Sequence, residues 1–174
     1  LTTSGKVKHF GVSNMQQHQM ALLQDSVLEP FIVNQLELSL SHLAWLDDGT
    51  TAGCSNQPPV NFSTGTLEYC RRHNIQLQAW GSLSQGLFSG KDVSKEPAHV
   101  QATAKLVQQL AAEYQVSKEA IVLSWLMRHP AQIQPVIGTT SINRISACGE
   151  ATAVQLSREH WYQLYVSARG AELP

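Results

Sequence analysis

The stretch from Ile133 to Arg144 constrains the fold more than any other part of this sequence. It reads as a short buried strand over residues 134–137 that passes through Gly138 into a helix opening near Ser141. A helix start presents unpaired N–H groups and a partial positive charge. Strand, glycine, hydroxyl residues and helix, in that order, make a device for holding an anion. Thr139, Thr140 and Ser141 add hydroxyl donors, and Arg144, one turn in, offers a planar, permanently charged fork for phosphate. The plainer reading is a strand-to-helix turn capped by Ser or Thr. What favours the anion is that three earlier segments repeat the plan.

Residues 7–12 predict a first strand that ends in Ser13 and Asn14, followed by a helical pattern over 15–24. Residues 31–38 predict a second strand, with Ile32, Asn34, Leu36 and Leu38 on one face and Val33, Gln35 and Glu37 on the other. Asn, Gln and Glu in a buried strand cost free energy unless they find partners. They mark either a site or satisfied core groups. Residues 39–63 read as a long irregular connection, beyond the usual loop length. Leu43, Trp45, Leu46 and Phe62 are apolar enough to pin it to the body. A helix capped by Thr64 or Thr66 ends in Arg71, Arg72 and His73, whose charge suits a helix C-terminus.

The third strand, residues 75–80, runs into Gly81, Ser82, Leu83, Ser84, Gln85, Gly86, Leu87, Phe88, Ser89 and Gly90. A loop of this composition wraps a phosphate with backbone N–H groups. It matches no dinucleotide, Walker or nucleophile-elbow motif. A helix over 102–114 follows. A second opens at Ser117 and is almost continuously apolar through residue 127, as expected of a helix packed on a sheet. After the strand at 134–137, residues 146–154 read as a helix or helix-turn, and Ser157 caps the last helix.

Strands alternating with helices predict a parallel α/β arrangement. Both a barrel and an open doubly wound sheet bind ligands at the C-terminal ends of their strands. Periodicity leaves the two open.

Composition narrows the partners. The 174 residues carry a net charge of -1, with no basic excess that would point to nucleic acid. No apolar run is long enough to span a membrane, and no signal peptide opens the chain. Cys54, Cys70 and Cys148 form no C-x-x-C pair, so a disulfide frame or metal site is not expected, and a cytoplasmic setting fits. The chain starts at Leu1 rather than Met, which leads us to expect a fragment of a longer protein.

Taken together, residues 5–14, 33–37, 77–83, 122–126 and 135–139 resemble, in order, the C-terminal half of an aldo-keto reductase, most closely the bacterial YdhF-like branch. The resemblance implies a (β/α)8 TIM barrel, in which residues 1–174 supply strands five to eight, with 39–63 as a long β/α loop. It implies carbonyl reduction by hydride transfer from NADPH. Ser13, Asn14 and Gln35 would bond the nicotinamide carboxamide, and Trp80 would stack on the ring. Residues Ser82 to Gly86 would wrap the pyrophosphate, with Thr139, Thr140 and Arg144 at the adenosine 2′-phosphate.

Two departures stand out. Ala147 and Cys148 occupy positions where many members carry Glu and Asn against adenine, and Gly138 to Ser141 contain no lysine. The 2′-phosphate would then rest mainly on Arg144. The family's Asp, Tyr, Lys and His tetrad belongs to strands before this segment, so the chain alone is expected to be inactive. Its expected partners are a small carbonyl substrate and either the N-terminal half-barrel or a second copy of this chain. The competing expectation is a non-enzymatic half-barrel that binds a dinucleotide or self-assembles.

Overall fold

Four parallel strands order the computed structural model, which describes residues 1–174. They are β1 (Phe10–Ser13), β2 (Phe31–Glu37), β3 (Gln76–Trp80) and β4 (Gln134–Pro135), adjacent in chain order within one sheet. Ser13 lies opposite Gln35, Glu37 opposite Trp80 and Ala79 opposite Pro135, so all four C-terminal ends share one edge. The order never reverses. A doubly wound sheet binds at a reversal; a barrel wall has none.

Side-chain alternation divides the sheet. Asn34, Leu36, Leu38, Leu77 and Ala79 are buried beneath helices. The layer comprises α1 (Gln17–Gln24), α2 (Ala44–Thr50), α3 (Thr66–Arg72), α4 (Ala98–Tyr114), α5 (Lys118–Met127), α6 (Ile142–Gly149) and α7 (Arg158–Arg169). None is long and apolar enough to cross a membrane. The central helix is α5, whose residues 120–126 are all buried. Trp125 stacks on Trp161 of α7 at 5.5 Å between centroids. Each indole donates to the other's backbone carbonyl, at 3.1 and 2.9 Å, so the polar edge of both rings is satisfied.

The opposite sheet face stays open. Val33, Gln35, Gln78 and Trp80 are half-buried there, and Ser13 and Gln134 are exposed. Three glutamines form a ladder across it. Gln35 Nε2 donates to Gln78 Oε1, and Gln78 Nε2 to Gln134 Oε1, both at 3.0 Å.

Several expected boundaries shift. The strands predicted at 7–12 and 134–137 are shorter, because β1 and β4 are edge strands with a ladder partner on one side only. Gln16 caps α1, whose regular turns begin at Gln17. The α4 helix starts directly after Pro97. Residues 146–154 divide between the end of α6 and a 3-10 turn, Glu150–Ala153. Gly65, not Thr64 or Thr66, caps α3 with φ +80. Thr66 Oγ1 instead accepts the Gln17 N–H.

The 39–63 connection is not irregular throughout. It contains α2, a helix too short to persist by propensity. Buried Trp45 and Leu46 hold it, as does Asp47, which pairs with Arg169 Nε at 3.3 Å and accepts the Tyr165 hydroxyl.

His129 lies against Trp45, 5.1 Å between centroids. Burial, and secondarily Arg71, lowers its pKa from 6.5 to about 4. The ring is neutral when folded, whereas the unfolded chain takes up a proton below about 6.5. This contribution to stability is therefore complete above that pH and is lost progressively as pH falls toward 4. Thermal midpoints of wild type and His129→Gln at pH 7.5 and pH 5 check this. The variant should lose less on acidification, and an equal loss assigns the effect to other groups.

Candidate cofactor site

Trp80 ends β3 and its neighbours set its ring. The indole Nε1 donates to Asn14 Oδ1 at 3.0 Å, across from the end of β1. Asn14 has φ +53, a left-handed conformation that Asn tolerates better than most residues. Two strand ends are thus tied by one side-chain bond, and the Asn14 amide N–H groups remain available as donors.

Beyond Trp80 the chain makes a run of tight turns. Ser84 N–H donates to Gly81 O, Gly86 N–H to Leu83 O and Leu87 N–H to Ser84 O, at 2.8 to 3.0 Å. Ser84, Gln85 and Gly86 all have positive φ, following Leu83 at φ -97 and ψ 3. A step to positive φ of this kind makes the loop concave, the shape of a backbone anion site, with the Ser84, Gly86 and Leu87 N–H groups already bonded inside it. Buried Ser82 donates to Val136 O at 3.1 Å and fixes the loop to the chain just after β4.

These parts enclose one cavity of about 340 Å³. Trp80, Gly81, Ser82, Leu83, Ser84, Gln85 and Gly86 form one wall, and Gly138, Thr139 and Arg144 the other. Ser89, Val136 and Ile137 also line it; the sequence placed them in the loop and strand concerned but not among the candidate binding residues. The latter two belong to the predicted fourth strand, so only their orientation was hidden.

The hydroxyls at the α6 start behave partly as the plainer reading expected. Ser141 Oγ accepts the Arg144 N–H at 3.5 Å, and Thr139 Oγ1 accepts the Ser141 N–H at 3.2 Å. Thr140 and Ser141 do not line the cavity, whereas Thr139 does. The Arg144 side chain is exposed and takes part in no ion pair.

Ser13 and Gln35 sit outside this cavity, on the open sheet face. Ser13 Oγ donates to Gln35 O at 3.1 Å, and the Gln35 amide is engaged by Gln78. They share that face with Trp80, because Gln35 and Glu37 alternate onto it together. Asn34 is structural: its Nδ2 donates to Met15 O at 2.8 Å, holding the turn between β1 and α1.

A second cavity, about 570 Å³, opens beside Asn14. Its floor is Met15 and Leu36, and Val60, Asn61, Phe62 and Ser63 close over it. The closing segment is fastened at both sides. Ser63 Oγ donates to Gln16 Oε1 at 2.9 Å, and Thr64 Oγ1 to Asp48 Oδ1 at 3.1 Å. Glu37 and His42 line the cavity as a pair, 3.5 Å apart. His42 was missed in the sequence, lying alone in a loop with no motif around it.

A model of the aldo/keto reductase family matches residues 1–165. The chain belongs to that family. It is 34% identical over 174 residues to the 6-dehydroglucose reductase of Agrobacterium fabrum, covering 99% of this chain and 50% of that protein. It is 32% identical to the oxidoreductase YdhF of Escherichia coli, covering 100% and 51%, as the YdhF-like resemblance led us to expect. Among solved aldo-keto reductases, Tm1743 aligns at TM-score 0.71 and 17% identity, over 95% of this chain and 50% of that one. The aldose reductase of Giardia lamblia aligns at 0.67 and 20%, over 100% and 49%. At such identities the structural likeness bears on the fold, which is that of a TIM barrel. The chain spans about half the length of the curated relatives it matches.

Proposed function

We propose that this chain is the cofactor-binding half of an NADPH-dependent carbonyl reductase and supplies strands five to eight of its barrel. One observation carries the reading. In a member of an oxidoreductase family, an aromatic ring, a concave Gly- and Ser-rich loop and an unpaired arginine line a single cavity at the C-terminal edge of a parallel sheet.

The residues fit a dinucleotide. Trp80 offers a flat face for the nicotinamide, already oriented by Asn14. The Gly81 to Gly86 turns suit the pyrophosphate, and Arg144 with Thr139 and the α6 start suits the 2′-phosphate. Thr140 and Ser141 then serve as helix-start residues, and Ser13, Asn14 and Gln35 surround the carboxamide. When bound, the nicotinamide supplies a hydride to a carbonyl carbon. The protein's part is to orient the ring, neutralise the phosphates and exclude water. The substrate is a small carbonyl compound, and the cavity beside Asn14 is where its remaining groups would lie.

The proton for the resulting alkoxide comes, in this reading, from the other half of the barrel. The open sheet face and the two unpaired edges are what a second half would cover. The same face favours the second reading, in which a copy of this chain takes that place.

Fluorescence titration of the assembled barrel with NADPH and NADH tests the assignment. Arg144→Ala should weaken NADPH by about 2 kcal/mol, roughly thirtyfold, the worth of hydrogen bonds to a charged group. NADH should change little. Equal losses for both nucleotides would remove Arg144 from the 2′-phosphate, and quenching that survives Trp80→Leu would remove Trp80 from the ring.

A further inference from the structure

A third cavity, about 380 Å³, lies between α2, the end of α5 and α7, and shares no residue with the two described above. That volume is within the range of small-molecule sites, roughly 300 to 1,000 Å³. Trp161 and Tyr162 line it with aromatic surface over the buried Tyr165, and Arg128 and Arg158 also line it. No carboxylate does. We propose that this cavity is a separate binding site for a flat aromatic carboxylate, independent of the cofactor.

The polar groups around it are nearly all donors. Arg128 Nε donates to Leu156 O at 3.1 Å, which holds the guanidinium while its terminal N–H groups stay free of any ion pair. The Arg158 guanidinium sits 5.7 Å above the centre of the Tyr162 ring and has no acidic partner. His129 Nδ1 accepts the Ala131 N–H at 3.1 Å, so the neutral ring carries its proton on Nε2.

Asp47, which accepts the Tyr165 hydroxyl, is already paired with Arg169. Two unpaired guanidiniums and an imidazole N–H beside aromatic walls select a ligand with a planar apolar body and an anionic end. Arginine matches a carboxylate with two parallel bonds, and the rings match the body. The chain as a whole has a net charge of -1, so this is a local excess and not a general one.

The test uses 2-naphthoate and its neutral analogue naphthalene-2-methanol, with fluorescence anisotropy as the readout. The carboxylate should bind saturably and at least about tenfold tighter than the alcohol. Arg158→Ala and Arg128→Ala should each weaken it about tenfold, since both side chains are exposed and their loss leaves the core intact. Saturating NADPH should leave naphthoate binding unchanged. Equal binding of the alcohol, dissociation constants within about twofold of wild type in both variants, or displacement by NADPH each overturns the proposal. Absence of any saturable binding does so as well. None of these outcomes bears on the cofactor cavity except displacement, which would place naphthoate there instead.

Discussion

Aldehyde reduction by the 174-residue chain alone, with NADPH supplied, should not rise above the buffer background. Among the residues lining the two cavities at the sheet edge, only Glu37, His42 and Arg144 are ionisable. None of the four tyrosines lines either one. Tyr165 is buried, and burial together with its bond to Asp47 pushes its pKa far above the ordinary value. Tyr114 is engaged by His160 Nδ1 at 2.9 Å. Tyr69 and Tyr162 lie on α3 and α7, away from the strand ends.

On the proposed reading the general acid and the other face of the substrate site come from the N-terminal half, and lacking a general acid typically costs about 10²- to 10⁴-fold in rate. Co-expression with the N-terminal half of the same barrel should restore turnover. Background-level activity in that complex would count against the half-barrel reading. Turnover by the chain alone that vanishes in His42→Gln would put the proton donor in this segment, on the pair formed with Glu37.

Asp47→Ala should destabilise the fold by about 3 kcal/mol, the usual cost of leaving one partner of a buried ion pair alone. The Arg169 side chain is only 9% exposed, and Asp47 20%. Removing the carboxylate leaves the guanidinium with the Glu172 carbonyl and Gln57 Oε1 but no opposite charge, and takes the acceptor from Tyr165. Because Asp47 belongs to α2, the damage extends to the segment that closes the cavity beside Asn14. Urea unfolding gives the size of the loss, and proteolysis within residues 51–63 gives its location. A change below about 0.5 kcal/mol, the level of an ordinary surface substitution, would show that buried Trp45 and Leu46 hold α2 without the ion pair.

The parts that sequence alone specified are local ones. Ser117 and Ser157 were legible as caps, and their hydroxyls do accept the N–H three residues on. A cap depends on a few adjacent residues. The parallel α/β class was legible for a similar reason: alternating strand and helix patterns leave few other ways to bury one face of each strand. Most of the lining of the 340 Å³ cavity was legible too. Residues 80–86 and 138–144 follow strands, and a parallel sheet brings strand ends together whatever their separation in the chain.

Tertiary structure decided the rest. Nothing near Asn14 shows that its amide will orient an indole 66 residues away. The register of β1, β2 and β3 sets that bond. Residues 44–50 form a helix too short to persist alone, held by burial of Trp45 and Leu46 and by Asp47 meeting Arg169 at the far end of the chain. The cavity flanked by Arg128 and Arg158 joins three helices that no motif connects. In each case the deciding contact is between residues distant in sequence, whose proximity exists only once the core has packed.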